Sequence, residues 1–191
     1  YALGKNMRRW MPRLCSLALT AGIEVEYVKK LIKHHGWTSP TERPENWPWS
    51  VRVYTLGGFR LVVEDKPLTF PHKVPKKPMA LLKALVAFGG REVVNRKLLD
   101  ALWPEEDGDT AYHSLGINLH RLRKLLGSPD TVVLADGKVS LNEKLVWTDI
   151  EFFEQAIEHS PRDQNAAENA LILYRGSFLA DSEDVPWAVT R

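Results

Sequence analysis

One cysteine stands in 191 residues. Cys15 alone rules out an internal disulfide framework and a four-cysteine zinc site, and such scarcity fits a reducing compartment. Long apolar runs are missing as well. None approaches the roughly 20 residues of a membrane span, and no signal peptide is visible, so the expectation is a cytoplasmic chain without a membrane partner. The common catalytic motifs are absent: there is no H-E-x-x-H, no G-x-S-x-G and no phosphate-binding loop. Gly57-Gly58 is followed neither by Gly-Lys-Ser/Thr nor by a helix. An enzyme is therefore not expected, and neither a cofactor nor a metal is implied. His34 and His35 are adjacent and do not share a helix face, which argues against a metal site there. Cys15 sits among apolar residues and reads as packing.

What is present is a globular composition, 44% hydrophobic and 26% charged. The net charge of +2 says little, but its distribution says more. Residues 1–46 carry eight Lys/Arg against four Asp/Glu, whereas residues 149–191 carry three against nine. The first two thirds suit a polyanion and the last third does not. The chain opens on Tyr1 rather than Met, which predicts a piece of something longer.

A local absence organises the reading. Between Asp109 and Asp130 there is no carboxylate, while His113, His120, Arg121, Arg123 and Lys124 all lie there. Ala111, Leu115, Leu119, Leu122 and Leu126 fall at helical spacing, which predicts one amphipathic helix with Asp109 as N-cap and Gly127 as its stop. An apolar face opposite a basic, amide- and hydroxyl-bearing one suits the major groove of DNA. The same charges also complement the helix macrodipole, so charge alone leaves a merely solvated helix open. The context decides.

Residues 7–36 read as two helices, with Met11, Leu14, Leu17 and Ala18 on one face of the first. Residues 37–50 hold three prolines and three tryptophans. The prolines predict an extended linker, and the tryptophans predict that it lies against a surface. Strands are expected from Val51, from Phe59 to Val63 and from Leu68 to Phe70. Three helices follow, the first around Met79, Leu82, Leu85 and Val86. The second is short, capped by Asn95 and ended by Trp103-Pro104, and the long helix is the third. Thr131–Leu134 and Lys138–Leu141 then form a hairpin about Asp136-Gly137, and Val146-Trp147-Thr148 a short strand. The expected fold is α+β. An N-terminal antiparallel sheet, three helices and a C-terminal hairpin wing form a winged helix-turn-helix flanked by helical segments.

At residues 51–148 the sequence resembles the OmpR/PhoB-type winged helix, in the version found in SARP-type bacterial transcriptional activators. L-G-G-F-R-L, K-P-M-A-L-L-K-A-L-V-A-F-G-G-R-E-V-V, L-L-D-A-L-W-P and L-H-R-L-R-K-L-L-G, in that order, carry the resemblance. Residues 149–191 look like the truncated start of the helical bacterial transcriptional activator domain, through T-D-I-E-F-F-E, L-Y-R-G-S-F-L and the later Trp187. Asp149 is a candidate cap for its first helix. Residues 1–36 are expected as a helical segment, and residues 7–35 within it more weakly resemble the region before the winged helix in MalT-like regulators.

The resemblance implies sequence-specific binding of double-stranded operator DNA in transcription regulation. It also implies RNA polymerase as a further partner, and head-to-tail pairing on direct repeats. His113, Ser114, Ile117, Arg121 and Arg123 would face the groove, with Asn118, His120 and Lys124 close by. Trp103 would touch the backbone or pack, and Lys138 on the wing would reach phosphate. Two departures stand out. Gly137 is followed by Lys138 rather than by the family's usual aromatic. Gly116 interrupts the recognition helix at about 1 kcal/mol relative to Ala, giving either closer approach to DNA or a looser helix. The competing reading is a winged helix kept as a protein-docking module with weak DNA binding.

Overall fold

The computed structural model describes residues 2–70, 74–159, 164–182 and 187. Its helices and small sheets form an α+β fold. Helices α1 (Ala2–Thr20) and α2 (Val25–His35) open the chain, and Gly36 closes α2 in the left-handed conformation. The inward stripe of α1 differs from expectation. Cys15 and Leu19 are buried, while Leu14 and Leu17 are 56% and 66% exposed. The helix is rotated because its partner stripe, Val28 and Ile32 of α2, meets Cys15 and Leu19 in one cluster.

Residues 37–50 lie against the rest of the fold, as the tryptophans predict, but they are broken by turns at 41–42 and 45–46 rather than extended. Trp47 and Trp49 are buried in the same cluster as Cys15, Ile32 and Trp147. The Trp147 indole donates to the Arg43 carbonyl at 2.9 Å, and the Trp49 indole to the Pro44 carbonyl at 2.9 Å. The prolines block helix, as expected, but the indoles anchor the segment by burying large apolar area and satisfying their N–H groups. His35 stacks on Trp37 with 4.6 Å between ring centroids, so its ring packs on an aromatic.

A four-stranded sheet follows in the order β3-β2-β1-β7. It comprises β1 (Val51–Tyr54), β2 (Arg60–Val63), β3 (Lys66–Pro67) and β7 (Val146–Thr148). The strand expected at Leu68–Phe70 lies earlier. Glu64 and Asp65 both take positive φ, making a two-residue turn that returns the chain at once, with Val63 opposite Lys66. β1 pairs antiparallel with β2 and parallel with β7, so the last strand closes back on the first.

Between them lie α3 (Lys76–Ala87), α4 (Asn95–Leu102) and α5 (Gly108–Leu125). α3 packs on both α4 and α5. Leu81, Leu82, Leu85, Leu98, Leu115, Leu119, Leu122 and Leu126 are completely or almost completely buried in their common core. Each such leucine contributes on the order of 1.5–3 kcal/mol of transfer free energy. Two cap assignments move. Asp107, not Asp109, caps α5: its carboxylate accepts from the Thr110 N–H at 3.0 Å and the Thr110 hydroxyl at 2.9 Å. The N-cap carboxylate must reach an N–H three residues on, and Asp109 already lies within the first turn. Asn95 is the first helical residue of α4 rather than its cap. Its backbone N–H donates to the Gly137 carbonyl at 2.9 Å, and its side chain is buried.

A three-stranded sheet, β4-β6-β5, closes over these helices. It consists of β4 (Val93–Val94), β5 (Val132–Ala135) and β6 (Lys138–Leu141). Thr131, expected in the hairpin, ends a 3-10 turn just before it. Asp136 and Gly137 turn the hairpin with φ of 50° and 72°, as a tight two-residue turn requires.

Helices α6 (Asp149–His159) and α7 (Gln164–Leu173) pack together after β7. Asp149 opens α6, yet its carboxylate is spent elsewhere. It is 1% exposed and accepts from the Thr55 and Leu56 N–H groups and the Thr55 hydroxyl at 2.7–2.8 Å. The segment after α7 returns to the same corner, where Leu179 N–H donates to the Thr55 carbonyl and Gly57 N–H to the Ser177 carbonyl. A Cβ on Gly57 would sit 2.5 Å from the Arg175 carbonyl oxygen, so only glycine fits this crossing. Trp187 packs against Phe88.

Candidate nucleic-acid interface

α5 is held by its leucine stripe, and what it leaves outside is a single face. Tyr112, His113, Gly116, Ile117, His120, Arg121 and Lys124 are all exposed, and they recur at three- and four-residue spacing. Arg121 and Lys124 form no ion pair among the described residues. The cations Arg121 and Lys124 lie toward the C-terminal end of this face, and Tyr112, His113, Ile117 and His120 precede them.

The structure divides the sequence-predicted contact residues into two sets. His113, Ile117, His120, Arg121 and Lys124 share the exposed face. The others are engaged within the fold. Asn118 is buried and its amide donates to the Ser114 carbonyl at 2.8 Å, inside the helix. The Ser114 hydroxyl donates to the Glu106 carboxylate at 2.8 Å. Arg123 Nε donates to the Val132 carbonyl at 2.8 Å, tying α5 to the base of the hairpin. Trp103 is buried, with the Lys77 ammonium 5.5 Å from its ring centroid. Lys138 pairs at 3.1 Å with Glu92, the residue just before β4. Tyr112 was missed by sequence reasoning. It lies one turn before Gly116 and is 52% exposed, and its place one residue after buried Ala111 was the signal available.

The surroundings of this face carry both signs of charge. Arg96 and Lys97 are exposed on α4, with Asp100 one turn from Arg96. Lys97 lies over the Phe88 ring, 4.1 Å from its centroid. The loop before α5 carries Glu105, Glu106 and Asp107. The Asp107 carboxyl is held below the usual carboxylate range, first by the hydrogen bond from the Thr110 backbone. The hairpin exposes Val133 and Leu134, with Asp136 at its tip.

Elsewhere, a cleft of about 260 Å³ lies between Gly57-Gly58 and Arg175. Its two aspartates are already used: Asp149 by Thr55 and Leu56, and Asp181 by the Phe59 N–H at 2.9 Å. Among the described residues no three His, Cys, Asp or Glu side chains converge as a metal site would require. No helix of the described residues is long and apolar enough to cross a membrane.

No protein-family model matches this sequence, and no curated protein sequence matches it. The fold is similar to a solved structure of Mycobacterium tuberculosis EmbR in complex with a low-affinity phosphopeptide. The match covers 73% of this chain at 25% identity with a TM-score of 0.55. It spans 40% of the EmbR chain, well under half of that protein. The likeness supports a SARP/winged-helix-like fold for this chain.

Proposed function

We propose that this chain is the sequence-specific, double-stranded-DNA-binding part of a bacterial transcriptional regulator, an activator acting in the cytoplasm. Residues 51–148 form an OmpR/PhoB-type winged helix-turn-helix in this reading. Residues 149–191 begin a helical activator domain, and residues 1–36 are a helical segment of the MalT-like kind. The carrying observation is the exposed face of α5, where Arg121 and Lys124 form no ion pair among the described residues and stand beside groups able to touch base edges. α5 would enter the major groove and β5–β6 would be the wing. Phosphate neutralisation would supply much of the affinity, and the N-terminal half of α5 the specificity. RNA polymerase and a second copy bound head-to-tail on a direct repeat are the further partners this reading names.

Fluorescence anisotropy with a randomised duplex pool over a salt series, followed by selection and sequencing of bound DNA, tests it. A steep loss of affinity with salt plus an enriched motif is the expected result. Salt-sensitive binding without enrichment would leave only a basic surface.

One observation favours a second reading, a protein-docking module. The wing position exposes Val94, Val133 and Leu134, and its lysine is already paired with Glu92. A folded chain that binds no duplex would select it.

A further inference from the structure

The cleft of about 260 Å³ beside Gly57-Gly58 lies where separate parts of the chain meet. Tyr54 and Arg60 come from β1 and β2, Asp149 opens α6, and Arg175 and Asp181 follow α7. Leu56 and Leu173, both buried, give it apolar walls. Its charged groups differ in what they still have to offer. Both oxygens of Asp149 are occupied by Thr55 and Leu56. Glu45, also in the lining, accepts from the Tyr54 hydroxyl through Oε1 at 2.6 Å, and Asp181 accepts from the Phe59 N–H through Oδ1 at 2.9 Å. Glu45 Oε2 and Asp181 Oδ2 accept no hydrogen bond among the described residues. Arg60 and Arg175 make no hydrogen bond or ion pair among the described residues, and the Arg60 guanidinium lies over the Tyr54 ring, 4.0 Å from its centroid. The cleft therefore keeps anionic acceptors and cationic donors in reserve, side by side with apolar surface.

We propose that this cleft binds a free α-amino acid with an aliphatic side chain. Arg60 and Arg175 take its carboxylate, Glu45 and Asp181 take its ammonium, and Leu56 and Leu173 cover its side chain. A simple anion would be opposed by the two carboxylates and a simple cation by the two arginines, whereas a zwitterion meets both with the right sign. The volume agrees, since it falls below the roughly 300–1,000 Å³ of pockets for drug-sized ligands. Because Arg60 belongs to the four-stranded sheet and Arg175 to the segment after α7, the bound molecule ties the two together. The inference goes beyond the DNA-binding reading and does not depend on it.

Titration calorimetry and thermal melts of the chain test it, with leucine as the probe. Isocaproate is leucine without the ammonium, and isoamylamine is leucine without the carboxylate. Leucine should bind and raise the melting temperature. Isocaproate and isoamylamine should each bind about tenfold more weakly, the scale of one lost charge-assisted hydrogen bond. Arg175→Gln should melt as wild type does without ligand, and should narrow the gap between leucine and isoamylamine. Glu45→Gln, which can still accept from Tyr54, should narrow the gap between leucine and isocaproate. No binding of leucine up to its solubility, equal binding of the three probes, or gaps unchanged in both variants overturns the proposal. Such a failure leaves the DNA-binding reading standing, because no duplex enters the measurement.

Discussion

Arg123 Nε donates to the carbonyl of Val132, a residue with no exposed surface, at 2.8 Å. Arg121, two residues earlier, is exposed on the other side of the helix. These two arginines look equivalent in the sequence and are not equivalent in the fold. Arg121→Ala should leave the melting temperature unchanged and weaken duplex binding. The loss is about 1–3 kcal/mol if a bidentate base contact goes, or a salt slope shallower by about one unit if a phosphate contact goes. Arg123→Ala should lower stability by about 1–3 kcal/mol, because the Val132 carbonyl is left without its partner. Thermal melts and anisotropy on both variants check this. An unchanged melt for Arg123→Ala would show that its hydrogen bond is dispensable.

Asp149 makes a second prediction, about the joint between β1 and α6. Its buried carboxylate satisfies two backbone N–H groups and one hydroxyl. Asp149→Ala would strand those donors, at about 1–3 kcal/mol for each unsatisfied group. Asp149→Asn should be intermediate, since its oxygen replaces part of the acceptor set while its NH₂ meets donors. Denaturant unfolding of the three proteins should give the order wild type, Asn, Ala, and equal midpoints would refute the assignment.

Periodicity made much of this legible. The leucine stripe of α5, the three-helix order, the Asp136-Gly137 hairpin and the basic stretch free of carboxylates all follow from residue spacing and turn chemistry. What was hidden depends on partners distant in sequence. Trp47 and Trp49 read as surface anchors because their pocket is assembled from Cys15, Ile32 and Trp147. Asp149 read as a cap because its true partners, Thr55 and Leu56, lie over ninety residues away. On α5, spacing alone put Arg123 on the exposed side, since the Val132 carbonyl that engages it comes from the next element. Asn118 could be misplaced for a related reason, because a side chain that bonds its own helix looks polar in sequence but is buried in space.

A pH prediction follows from the α5 cap. The carboxyl of Asp107 is lowered by hydrogen bonds to its ionised form, chiefly from the Thr110 N–H. Its contribution is therefore complete above the unfolded carboxylate range, near about 3.9, and is lost as pH falls through the lower folded value. Asp107→Ala should be less stable than wild type at neutral pH, and the difference should close in acid. Asp107→Asn, a good cap without a charge, should retain stability and lose that acid dependence. Melts from neutral pH to below 3 decide it, and a constant gap between wild type and Asp107→Ala would refute the charged cap.

The pairing of Lys138 with Glu92 bears on how the hairpin would meet DNA. Glu92, just before β4, and Lys138, at the start of β6, pair at 3.1 Å, and both are substantially exposed. Such an exposed pair adds little to stability, yet Glu92 keeps a carboxylate beside the cation nearest the hairpin tip. If the hairpin touches the backbone as a wing, this carboxylate opposes phosphate and competes for the lysine. Glu92→Gln should then tighten duplex binding and steepen the salt dependence by about one unit, because Lys138 becomes available for one more phosphate. Lys138→Ala alone should change binding little in the wild-type background, but should cancel the gain in the Glu92→Gln background. That non-additivity is the signature of one ion pair exchanging for another, and a double-mutant cycle measured by anisotropy reads it directly. If Glu92→Gln binds no more tightly at any salt concentration, the hairpin does not approach the phosphates through Lys138. The exposed Val133 and Leu134 would then be the groups by which it meets its partner.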